Sequence, residues 1–155
     1  MGLAVSYGKI GFAYLVDGEL MDWKLSIEAS RSEAAASDQA EKWIGYYELD
    51  AVVVEDPEAT RKGEHTQMLQ RAIARAARGL GVEVILARRS TNQPNKYAEA
   101  AALAAEFPQL APWLPDKRRL WEQEPRYIIL FEALSLVWAW WRSSRPSDDA
   151  ETIEW

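Results

Sequence analysis

The chain has 155 residues, 48% of them hydrophobic and 27% charged, which suits one globular domain and excludes a disordered or fibrous chain. It contains no cysteine, so disulfides, thiolate metal sites and a cysteine nucleophile are excluded, and a cytoplasmic location is expected. The formal net charge of −6 argues against a uniformly basic nucleic-acid binder, yet eight Lys or Arg stand against two Glu between Thr60 and Lys96.

Residues 2–7, 10–16 and 19–25 alternate or run apolar and read as a meander of three strands. Tyr7-Gly8-Lys9 and Asp17-Gly18 supply the turns, the second being a strong two-residue hairpin signal. Ser30-Arg31-Ser32-Glu33 has the spacing of a capping box, and Ala36, Ala40, Trp43, Ile44 and Tyr47 follow on one helical face. AVVVED, residues 51–56, reads as a strand buried on both faces, as parallel strands are. A helix is predicted over 64–79, with Leu69, Ala72, Ile73 and Ala76 inward, and VEVILA, 82–87, reads as another buried strand. A polar loop at 88–95 precedes an alanine-rich helix over 96–106. Pro125 suits the first turn of a last helix running to about Trp141. The stretch 127–141, YIILFEALSLVWAWW, is too short and carries too central a Glu132 for a membrane span, so it is expected to be a buried helix. No signal peptide is expected at the N-terminus. The predicted organisation is one domain over 1–142 and a flexible tail over 143–155. Three antiparallel strands followed by two parallel ones, with helices on both faces, make an α/β fold with a mixed five-stranded sheet.

In open α/β sheets, ligands gather at the carboxyl ends of the strands. Glu55 is the first acid after AVVV and sits at such an end, while Asp56 points the other way. Glu132 is a lone carboxylate on an apolar helix, with Ser135 on its face, and needs a partner if buried. An arginine salt bridge would satisfy it as well as a ligand would.

The stretches LAVSYGKIGFAYL, VVVED and IILFEALSLVWAW, in this order, resemble the RNase H-like superfamily, in particular its RuvC-type Holliday junction resolvase branch. The resemblance spans the chain to about Trp141. It implies an RNase H-like fold and cleavage of nucleic acid with Mg²⁺ or Mn²⁺, two ions clamping the attacking and leaving oxygens. Their carboxylate ligands come from the first strand, the fourth strand and the last helix. On that pattern Glu55 falls at the fourth-strand Glu. Glu132, in FEAL, falls where the family usually has Asp, and Ile129 stands where resolvases often carry another acid. Ser6, in AVSYG, falls at the first-strand Asp. The implied catalytic set is therefore Ser6, Glu55 and Glu132, with Glu55 and Glu132 as metal ligands.

A hydroxyl holds Mg²⁺ far less well than a carboxylate. One expectation is a relative that binds nucleic acid, branched DNA foremost, with impaired or lost cleavage. A second is an active endonuclease in which Asp56, Glu58 or a substrate phosphate supplies the missing charge. A third is a protein-interaction scaffold. The expected nucleic-acid contacts are Arg61, Lys62, Arg71, Arg75, Arg78, Arg88 and Arg89, together with Lys117, Arg118 and Arg119 beside Trp121. His65, the only histidine, reads as exposed. Trp138, Trp140 and Trp141 point in different directions from one helix, which suggests a homodimer interface.

Overall fold

A computed structural model of the chain describes residues 1–89, 93–115 and 125–144. Strands β1 (Gly2–Ser6), β2 (Lys9–Val16) and β3 (Glu19–Ser26) form the antiparallel meander. Asp17 and Gly18 both take positive φ, 51° and 82°, the left-handed pair that matches the twist of a tight hairpin. Strand β4 (Ala51–Glu55) then pairs parallel with β1, and β5 (Glu83–Ala87) pairs parallel with β4. The sheet order is β3-β2-β1-β4-β5, a mixed five-stranded sheet of the RNase H-like type.

The valine run of β4 is buried throughout, as expected for an interior strand covered on both faces. The expectation for β5 was wrong in degree. Glu83 and Leu86 are exposed and the other residues of the strand are half-buried, because β5 is the outer strand with one neighbour. An apolar run does not by itself separate a central strand from an edge.

Helices α1 (Glu33–Tyr46) and α2 (Glu64–Gly79) cover one face of the sheet. There Leu3, Val5, Phe12, Val52 and Val54 meet Trp43, Ile44, Leu69 and Ile73. Each such side chain, fully buried, contributes about 1.5–3 kcal/mol. The cap of α1 is Ser32, whose Oγ accepts a hydrogen bond from the Ala35 N–H at 3.0 Å. It is not Ser30, as the capping-box spacing suggested. The Ser30 hydroxyl instead donates to the Ile27 carbonyl at 2.7 Å within a 3-10 turn, Glu28–Arg31.

Helices α3 (Lys96–Glu106) and α4 (Ile128–Ser144) cover the other face. Helix α4 begins three residues after Pro125 and runs past Trp141. It lies very close to the sheet: a Cβ on Gly2 would stand 2.2 Å from the Ala133 carbonyl oxygen. That close approach brings Glu132 down onto the strand ends. Among the described residues, no helix is long and apolar enough to cross a membrane.

Candidate functional site

Strand alternation decides which side chains meet here. Ala4 and Val53 face α4, so Ser6 and Glu55, two residues on, face it as well. Ile85 and Ala87 share that face, and Arg89 continues their series beyond the end of β5. All these chain ends lie at one edge, where Glu132 projects from α4.

The Glu55 and Glu132 side chains are buried, with 6% and 5% of each residue exposed. Between them lies Lys62. Its ammonium donates to the Val5 carbonyl at 2.6 Å and to Glu132 Oε2 at 3.0 Å, and it stands 3.5 Å from Glu55 Oε1. The ammonium thus lies among three oxygens, from β1, β4 and α4. The loop that carries Lys62 is pinned on both sides. Thr60 Oγ1 accepts from the Lys62 N–H at 3.2 Å, and Gln67 Nε2 donates to the Lys62 carbonyl at 2.8 Å.

A second cation lies on the other oxygen of Glu132. Arg89 Nη1 donates to Oε1 at 3.2 Å, while Nη2 of the same guanidinium pairs with buried Glu99 of α3. Glu132 therefore bridges two cations, one on each oxygen. Three carboxylates and two cations form a single network, held mostly out of water.

Glu99 was missed by the sequence reading. It lies four residues before Leu103 on the inward face of α3, and the rule that singled out Glu132, a carboxylate among apolar neighbours, applies to it equally.

Ser6 sits in the same corner, next to the carbonyl that Lys62 holds. Its Oγ is buried and has no hydrogen-bond partner among the described residues. The two acids that could have replaced a first-strand carboxylate are engaged elsewhere. Asp56 accepts from the Glu58 N–H at 3.0 Å, closing a local turn, and Glu58 pairs with Arg71 at 2.9 Å.

The divalent metal that the resemblance implies does not fit these residues. Ser6 offers a neutral oxygen, Glu55 and Glu132 share the Lys62 ammonium, and no group of three or more metal-binding side chains lies together among the described residues.

The remaining basic residues divide in two. Arg61 and Arg88 are exposed and line a cleft of about 850 Å³, with Lys62 and Arg89 also in its wall. Neither Arg61 nor Arg88 forms an ion pair among the described residues. On the outer face of α2, Arg71 and Arg75 are taken up by Glu58 and Glu33, at 2.9 and 3.4 Å, leaving Arg78 outside any such pair. Lys117, Arg118, Arg119 and Trp121 lie outside the described residues. His65 is exposed, with Nε2 3.0 Å from the Ser30 carbonyl. The three tryptophans of α4 are half-buried against their own chain, Trp138 edge-on to Phe107 at 4.9 Å.

No family model and no curated protein matches the sequence. Solved structures do match the fold. RuvC from Thermus thermophilus in complex with a Holliday junction substrate aligns with a TM-score of 0.55 at 15% identity, over 92% of this chain and 94% of that one. A further Thermus thermophilus RuvC structure aligns with a TM-score of 0.51 at 14% identity, over 92% and 95%.

Proposed function

We propose that this chain is a RuvC-like nucleic-acid-binding protein, with branched DNA as its foremost target, whose nuclease activity is impaired or lost. The observation that carries the binding half is the cleft at the carboxyl ends of β4 and β5. Its exposed Arg61 and Arg88 have no acidic partner among the described residues, and the fold is that of a protein solved on a Holliday junction. Two guanidiniums at a cleft mouth suit phosphodiester oxygens, which they contact in pairs. The loss of cutting is supported by Ser6, which brings no charge to a site whose chemistry depends on carboxylates holding metal.

Fluorescence anisotropy with a four-way junction, a duplex and a single strand tests this reading at low salt, with EDTA and with Mg²⁺. Binding should be tightest to the junction and weaken steeply with salt. Changing Arg61 and Arg88 together to Ala should lower the salt slope by about 1.8, roughly 0.9 for each phosphate released. The junction should stay intact after prolonged incubation with Mg²⁺ or Mn²⁺. Metal-dependent cleavage by the wild type would restore the active-endonuclease reading. No binding to any of the three substrates would favour a protein-interaction scaffold. Sedimentation of the same samples tests pairing of two copies through α4.

A further inference from the structure

We propose that Lys62 is a tethered cation that has taken over the role of a divalent metal, making the fold and its cleft independent of metal ions. This rests on reading the cleft as a former metal-nuclease site. The Lys62 ammonium has the contacts of a bound ion: the Val5 carbonyl, Glu132 Oε2 and Glu55 Oε1, at 2.6, 3.0 and 3.5 Å, from three separate elements. Arg89 supplies the second cation, so the two oxygens of Glu132 face one positive charge each. A carboxylate buried in this way needs cations on it, whatever their source.

The position of Lys62 is also built. Its stem comes from a loop fastened by Asp56, Thr60 and Gln67, and 23% of its side chain is exposed. A solvated surface lysine has no such anchoring and would point its ammonium into water. The sequence change at residue 6 fits the same picture. A neutral side chain beside Val5 leaves fewer negative charges to balance, and a monovalent cation then suffices where a divalent one would otherwise be required.

The test uses the full chain and needs no nucleic acid, so it stands or falls separately from the binding proposal. Thermal melts and Mn²⁺ electron paramagnetic resonance compare the wild type with Lys62→Met and with Ser6→Asp/Lys62→Met. The wild type should melt alike in EDTA and in millimolar Mn²⁺ and bind no Mn²⁺. Both variants should melt lower in EDTA. The double variant should bind one Mn²⁺ and recover roughly 5–10 °C at a hundredfold excess over its Kd.

Lys62→Ala provides a second route. Propylammonium, the missing end of the side chain as a free cation, should raise its melting temperature, and neutral propanol should not. Stabilisation of the wild type by Mn²⁺ to the same extent as the double variant would overturn the proposal. So would folded variants that respond to neither Mn²⁺ nor propylammonium, or variants that stay unfolded in both cations.

Discussion

Replacing Arg89 with Met removes one guanidinium and leaves two buried carboxylates short of a partner. Glu132 keeps Lys62, but Glu99, 5% exposed, loses the side chain that neutralises it. Across the 3.2 Å contact to Glu132, one pair of charges attracts by about 5 kcal/mol at an effective dielectric of about 20. Much of that is offset in the wild type by taking the charges out of water, so the net value of the intact network is small. The cost of breaking it is not, because Glu99 stays buried without compensation: about 3–5 kcal/mol. With an m-value of about 2 kcal/mol/M, the urea midpoint should fall by roughly 2 M with little change in slope. Tryptophan fluorescence can follow the transition, since three of the eight tryptophans lie on α4, over the affected face.

Adding Glu99→Gln to Arg89→Met should recover a large part of the loss, because it removes the charge rather than the space it fills. A loss below about 1 kcal/mol for Arg89→Met, the range of exposed pairs, would show that water screens the guanidinium, and the closed network would have to be abandoned.

Gly2→Ala should cost about 1–3 kcal/mol by overpacking, since its Cβ would meet the Ala133 carbonyl oxygen at 2.2 Å and force α4 away from β1; melting at the wild-type temperature would refute the close approach. Arg71→Ala should cost under about 1 kcal/mol, because the Arg71 and Glu58 side chains are 43% and 78% exposed. In the salt titration, Arg71, Arg75 and Arg78 changed together to Ala should flatten the slope less than Arg61 and Arg88 do, two of the three being occupied by acids; an equal or larger effect would place the nucleic acid along α2. The Tyr47 phenol is held above its ordinary value, first by burial and then by the Asp22 carboxylate it donates to, so its contribution to stability is present below about pH 10 and lost as pH rises further. Absorbance at 295 nm should show one late-ionising tyrosine that disappears in Tyr47→Phe.

The features legible in the sequence share one property: each is local. The hairpin at Asp17-Gly18, the buried run of β4 and the inward face of α2 are written in neighbouring residues, and all three are found in the structure. Strand alternation also put Glu55 toward α4 and turned Asp56 away. The features not read depend on how the chain bends or on what the element packs beside. The cap is Ser32 rather than Ser30 because residues 28–31 wind into a 3-10 turn of their own, leaving Ser32 as the extended residue ahead of α1, and the S-x-x-E spacing does not register that turn. The strand 82–87 looked as buried as β4 because its apolar run says nothing about how many neighbours flank it.

Lys62 is the clearest case. Beside Arg61 in a basic segment, it reads as one more phosphate contact, and its partner Glu132 is 70 residues away. Yet the need for it was visible in part. In the sequence, Glu132 reads as a carboxylate requiring a partner, and Ser6 as the place where an expected charge is missing. These two facts bear on one balance. With a carboxylate at residue 6, the corner would hold four acids, counting Glu55, Glu132 and Glu99, against the two cations Lys62 and Arg89. With Ser6 it holds three against two, and the remaining charge is shared over a cleft that also contains Arg61 and Arg88. The neutral side chain at residue 6 and the lysine at residue 62 then enter one balance of charge from two positions. Either alone is unfavourable: the serine without the lysine leaves buried carboxylates uncompensated, and the lysine without the serine competes with the metal that a full carboxylate set would hold.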